Sequence, residues 1–181
     1  MSDHITTFEK IHFTPLTPEP EDISIRDIAH ALSLMTRANG HFPKFYSVGQ
    51  HCIHCCEEAA ARGCTKREQL ACLLHDGSEA YLADITRPVK QHLVKYKEIE
   101  QGLQDSIFRK YLGELSEKER MLWRQMDDLL LYYEFDHFMG EKLYDCPGEL
   151  KSRPVFDTEP FEVTERNYLM WFERLSEKTE P

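Results

Sequence analysis

Leu73-Leu74-His75-Asp76-Gly77-Ser78-Glu79-Ala80-Tyr81-Leu82-Ala83-Asp84 carries more chemistry than any other stretch of this chain. The preceding run, Leu70-Ala71-Cys72-Leu73-Leu74, has the composition of a buried helix and delivers His75 and Asp76 side by side. Glu79 follows His75 by four residues, so a continuing helix would set both on one face. Asp84 comes just beyond, ahead of Arg87-Pro88, where the proline turns the preceding residue away from helix. One imidazole and three carboxylates in so short a span suit a divalent cation and an activated water, provided further ligands come from elsewhere.

The rest of the text is mostly helical. Thr65-Lys66-Arg67-Glu68 is a capping box that opens the helix leading to His75. Upstream, Ser47-Val48-Gly49-Gln50 opens another, expected to reach about residue 62 before Gly63, with His51 one turn in. Ser24-Ile25-Arg26-Asp27 resembles a third box, and Ile25, Ile28, Ala29, Leu32 and Met35 form an apolar stripe. That helix is expected to run to about residue 37, where Asn39-Gly40 supplies a stop. Downstream, the periodicity predicts a helix from about 89 to 112. Ser116-Glu117-Lys118-Glu119 then opens a long helix ending near 139, residues 147–157 read as loop, and about 161–175 as a closing helix.

At the N-terminus, the alternation Ile5-Thr6-Thr7-Phe8 and Ile11-His12-Phe13 leans towards β, and Pro15, Pro18 and Pro20 exclude helix after it. The expected architecture is all-α, a bundle of about six helices with a short N-terminal β-hairpin. A single domain is expected over 1–181: hairpin and proline-rich lead-in over 1–23, metal-site core over 24–140, C-terminal helix within 158–177.

Composition narrows the partners. A net charge of −10 argues against duplex nucleic acid, which needs a basic surface, but permits a local basic pocket for one phosphate ester. No apolar run approaches the roughly 18–20 residues that cross a bilayer, and Asp3, His4 and Glu9 do not compose a signal peptide. A cytoplasmic protein with no membrane partner is expected. The six cysteines then read as reduced thiols acting as small apolar residues. Cys52-x-x-Cys55 lacks a second pair at zinc-ribbon spacing.

Three helices offer candidate metal ligands: His51, then His75 and Asp76, then Asp127. Two imidazoles and two carboxylates suit one divalent transition metal, Mn²⁺, Co²⁺, Fe²⁺ or Zn²⁺, and suit Mg²⁺ less well. Glu79 is placed to orient or deprotonate a water. Asp128 rivals Asp127, which the apolar stripe of Met126, Leu130 and Tyr133 favours. Glu134 and Asp136 read equally as acceptors behind the ligands or as a solvated face. His54 reads as core or as support for the ligands. Tyr81 and Phe45 read as core in preference to base-stacking groups, and Tyr168, Trp171 and Phe172 as core or a helical seam.

His51, the His75-Asp76 doublet and Asp127, in this order and on different helices, resemble the HD-domain metal-dependent phosphohydrolases. Tyr46-Ser47-Val48-Gly49-Gln50-His51, the run from His75 to Lys90, and Asp127 with Glu134 are similar to one subgroup, the bacterial 5′-deoxynucleotidases and phage-type deoxynucleoside triphosphohydrolases. The resemblance implies hydrolysis of a phosphate ester on a small nucleotide. It implies that Glu79 activates the water, that Asp84 lies in the pocket, and that Arg37 and Lys90 contact phosphate. It allows a homodimer. Ala38 departs from the tryptophan that follows the arginine in the deoxynucleotidases. The alternative implied by the same residues is a nucleotide sensor that binds without turnover.

Overall fold

Local capping chemistry starts most of the long helices. In the computed structural model, which describes residues 3–177, Ser24 caps α1 (Ile25–Leu34) and Ser47 caps α2 (Val48–Ala61). Thr65 caps α3 (Lys66–Leu74). After two single-turn helices, α4 (Glu79–Leu82) and α5 (Arg87–Lys90), come α6 (Val94–Leu112) and the Ser116-capped α7 (Glu117–Met139). The closing helix is α8 (Phe161–Ser176). The boxes at Ser47/Gln50, Thr65/Glu68 and Ser116/Glu119 are reciprocal, side chain to backbone in both directions. Ser24 has no such return bond, because Asp27 accepts instead from the Glu9 backbone N–H at 2.7 Å.

The architecture is all-α apart from one two-stranded antiparallel hairpin, β1 (Ile5–Thr6) and β2 (His12–Phe13), with Ile5 opposite Phe13. The hairpin seats Phe13 in the core, stacked on Tyr81 with ring centroids 4.0 Å apart. Helix α3 lies at the centre, against α2, α6, α7 and α8, so Leu70 through Leu74 are buried all round. None of the helices in the described residues is long and apolar enough to cross a membrane.

Three expected boundaries are corrected. Helix α1 stops at Leu34 and does not reach residue 37. The chain pairs Thr36 with Ser47, and the Arg37 N–H donates to the Tyr46 carbonyl at 2.8 Å, which clips Arg37 to the start of α2. Ala38, Asn39 and Gly40 then turn the chain in the left-handed region, with φ of 52°, 49° and 76°.

The helix expected over 89–112 is two pieces, α5 and α6, with a break over 91–93. Val89, Leu93 and Val94 are exposed, so no buried stripe holds the two segments in line. Lys90 turns back to Glu100 at 2.7 Å.

The third correction shapes the site. Helix α3 does not continue through Glu79: it ends at Leu74, and α4 begins only at Glu79. A continuous helix would join the Ser78 N–H to the Leu74 carbonyl. The Gln104 side chain of α6 stands between them, its Nε2 donating to Leu74 O at 2.8 Å and its Oε1 accepting from Ser78 N at 3.0 Å. Tyr168 Oη takes the Leu73 carbonyl and His75 Nδ1 takes that of Cys72, both at 2.7 Å. Gly77 makes room for the close approach, since a Cβ there would lie 3.0 Å from Leu74 O and 3.3 Å from Ile107 Cδ1.

Candidate metal centre

Because α3 ends at Leu74, His75 and Asp76 sit in a turn at the helix end and point back across α2 and α7. His75 Nε2 lies 3.3 Å from His51 Nε2, 3.4 Å from Asp76 Oδ2 and 3.9 Å from Asp127 Oδ1. His51 Nε2 is 3.1 Å from Asp127 Oδ1. Donors bonded to one ion at roughly 2.0–2.3 Å stand about 3–4 Å from one another, a spacing that His51, His75 and Asp127 share, with Asp76 beside His75. Asp128 turns outward to an ion pair with Arg87 at 3.2 Å, which separates it from its neighbour Asp127.

The histidines are oriented from behind. Hydrogen-bond partners assign the tautomers: His75 Nδ1–H donates to the Cys72 carbonyl, and His51 Nδ1–H donates to Glu134 Oε1 at 2.6 Å. Both Nε2 lone pairs are thereby turned to the shared centre, the arrangement that carboxylates and carbonyls impose on metal-binding imidazoles. Glu134 is fully buried and also accepts from Tyr46 Oη at 3.0 Å and Arg37 Nε at 3.3 Å. His54 Nδ1 stands 2.8 Å from Tyr46 Oη, two steps behind His51. Glu134 thus supports His51, a role the sequence left level with a solvated face, whereas Asp136 is exposed.

Cationic side chains surround this electron-rich cluster. Arg37, 9% exposed, places Nη2 at 3.0 Å from His51 Nε2 and 3.2 Å from Asp127 Oδ1, and Nη1 at 3.5 Å from Asp76. Arg87 was not singled out by the sequence beyond its place before Pro88. Its guanidinium reaches Asp127 Oδ2 at 3.0 Å and is 56% exposed at the rim. Lys90 Nζ stands 4.0 Å from Glu79 Oε1.

Glu79 is 6% exposed, and its Oε2 has no hydrogen-bond partner. Burial, and then the neighbouring charges of Asp76 and Asp84, push its pKa well up, against the opposing pull of Arg37 and Lys90. Asp84 is half-buried beside it, after Ala83 in a positive-φ conformation (101°). Tyr81 is core, its hydroxyl accepting from the Ser24 N–H at 3.1 Å, and Tyr168 is fully buried.

Residues 44–141, more than half of the chain, match the family model described as the HD domain. The chain belongs to the HD domain family. It is 37% identical over 107 residues to the uncharacterized protein YfdR of Escherichia coli (strain K12), covering 59% of this chain and 57% of that one. It is 39% identical over 102 residues to an uncharacterized protein of Rhodobacter capsulatus, covering 53% and 52% respectively. The chain therefore spans just over half the length of these relatives. HD domains bind divalent metals, and the His/Cys/Asp grouping at this HD doublet can hold one.

The HD centre also titrates. Burial and the Arg37 charge oppose a charged His51, yet Glu134 and Asp127 outweigh them and raise its pKa to about 9. Burial likewise opposes the charge on Glu134, but His51 and Arg37 bring it down to about 2. A histidine whose folded pKa is raised stabilises the fold fully below its unfolded value and loses that contribution as pH rises through the folded one. The EDTA-treated protein should therefore lose stability between pH 6.5 and about 9. Saturating Mn²⁺ should flatten this slope, because ion and proton compete for the same His51 lone pair. Melting temperatures across that interval test it, and a flat metal-free profile refutes it.

Proposed function

We propose that this protein is a metal-dependent phosphohydrolase that cleaves the phosphate ester of a small nucleotide, a (deoxy)nucleoside 5′-monophosphate or triphosphate. The observation that carries the proposal is the convergence of His51, His75, Asp76 and Asp127 on one centre beside a buried, unpartnered Glu79 oxygen. A buried polar atom without a partner is rare and costly; Asp27 Oδ2 and Trp123 Nε1 share that state, and Glu79 is the one that stands among the proposed metal ligands.

In this reading His51 Nε2, His75 Nε2, Asp76 and Asp127 hold the ion, with Mn²⁺, Co²⁺, Fe²⁺ or Zn²⁺ suited to the nitrogen–oxygen set. When bound, the ion lowers the pKa of a water and neutralises charge on the phosphoryl oxygens. Glu79 holds and moves the proton: burial, then the charges of Asp76 and Asp84, favour its protonated form, so Oε2 can carry a proton taken from water and return it to the leaving oxygen. Asp84 adds its charge to the larger effects of burial and Asp76 on Glu79. Arg37 donates to substrate oxygens from inside the cluster, while Lys90 and Arg87 supply cationic contacts from the rim.

A product assay tests the proposal. Metal-loaded protein is expected to release orthophosphate from deoxynucleoside monophosphates, or triphosphate and nucleoside from the triphosphates. Nucleotide binding with no product from either panel would replace the enzyme with a sensor.

A further inference from the structure

The sulfur nearest this cluster has no part in the roles above. Cys55 lies four residues after His51, on the same face of α2, and is fully buried. Its Sγ is 3.5 Å from His51 Nε2, and the ligand atoms of His51, Cys55 and His75 all lie within 4.8 Å of one another. A second thiol is also close by: the ligand atoms of Cys52, His75 and Asp76 lie within 4.8 Å of one another. The two thiols are not equivalent, because the Cys55 sulfur lies within hydrogen-bond range of His51 Nε2. The contact Cys55 makes is with the imidazole nitrogen that faces the ion.

We infer that Cys55 Sγ is a ligand of the bound metal, alongside His51 and His75, and that it biases the centre towards the softer ions Zn²⁺, Fe²⁺ and Co²⁺ over Mn²⁺ and Mg²⁺. This rests on the proposed metal centre and extends its donor set from nitrogen and oxygen to sulfur. Thiolate sulfur selects softer cations, and oxygen-only sets favour Mg²⁺ and Mn²⁺. The chemistry balances without an oxidant: the S–H bond breaks, the proton leaves to solvent, and the same electron pair forms the S–metal bond.

The test is the absorption spectrum of the full chain loaded with Co²⁺, for the wild type, Cys52→Ala and Cys55→Ser. Expected are visible ligand-field bands in all three, with a near-ultraviolet thiolate-to-cobalt charge-transfer band in the wild type and Cys52→Ala only. The preference for Zn²⁺ over Mn²⁺ in competitive binding should fall about tenfold or more in Cys55→Ser. A wild-type protein with ligand-field bands and no charge-transfer band overturns the inference and leaves the metal centre standing. Loss of the band in Cys52→Ala also overturns it. Failure of the wild type to take up Co²⁺ overturns both. Should Cys55→Ser not fold, the wild-type and Cys52→Ala spectra decide alone.

Discussion

Glu79→Gln is expected to lower kcat by about 10²–10⁴-fold while metal content and KM stay close to wild type. The side chain is near isosteric, so α4 and its packing persist. What is lost is the carboxyl group beside the proposed ligands that can take a proton from water and give it back. Its position has no structural dividend to lose: Oε2 is unpartnered, and burial with Asp76 and Asp84 opposes its charge. Neutralising it should leave the melting temperature unchanged or raised, since a like-charge conflict disappears. Asp76→Ala is the contrasting variant. It removes an anion 3.4 Å from His75 Nε2 and should lose metal and turnover together. Metal analysis beside steady-state kinetics separates the two, and equal metal loss in both variants would make Glu79 a ligand.

The second large effect is on stability. Glu134→Ala should destabilise the fold by about 3–5 kcal/mol, the usual cost of removing one partner from a buried charged network. Glu134 is 0% exposed and holds His51 Nδ1, Arg37 Nε and Tyr46 Oη together. Its loss leaves the buried Arg37 Nε without its acceptor and frees the His51 ring to rotate. Metal affinity should fall about 10–100-fold for that second reason. Glu134→Gln keeps an acceptor for His51 but not the charge that faces Arg37, so an intermediate loss is expected. Urea denaturation with and without metal measures both effects. A change under about 1 kcal/mol, typical of a surface ion pair, would refute a stabilising role for the buried Glu134 network.

Reading this chain from its residues succeeded wherever the cause was local. Ser47, Thr65 and Ser116 each start a helix because cap and partner lie three residues apart, and no distant contact is needed to bring them together. His51, His75-Asp76 and Asp127 stood out in the sequence as nitrogen and oxygen donors in the order His, His-Asp, Asp, and the fold brings their side chains near one another. Asp127 and Asp128 could be ranked by the helical stripe and the spacing to Glu134, and the structure separates them by where each carboxylate points.

The rest depended on contacts between residues far apart in the chain. Nothing near His75 signals that its helix stops one residue earlier. The stop is imposed by Gln104, whose amide replaces the bond that Ser78 and Leu74 would otherwise share. Glu134 looks like any acidic residue on a long helix until α2 brings His51 to 2.6 Å from it. Cys55 reads as packing until the α2 face that carries it closes on His75. Caps, periodicity and the donor residues themselves are properties of short segments, and the sequence by itself determined them. The helix break, the orientation of each imidazole and the nearness of sulfur arise only when α2, α3, α6 and α7 pack together, so the tertiary structure alone decided them.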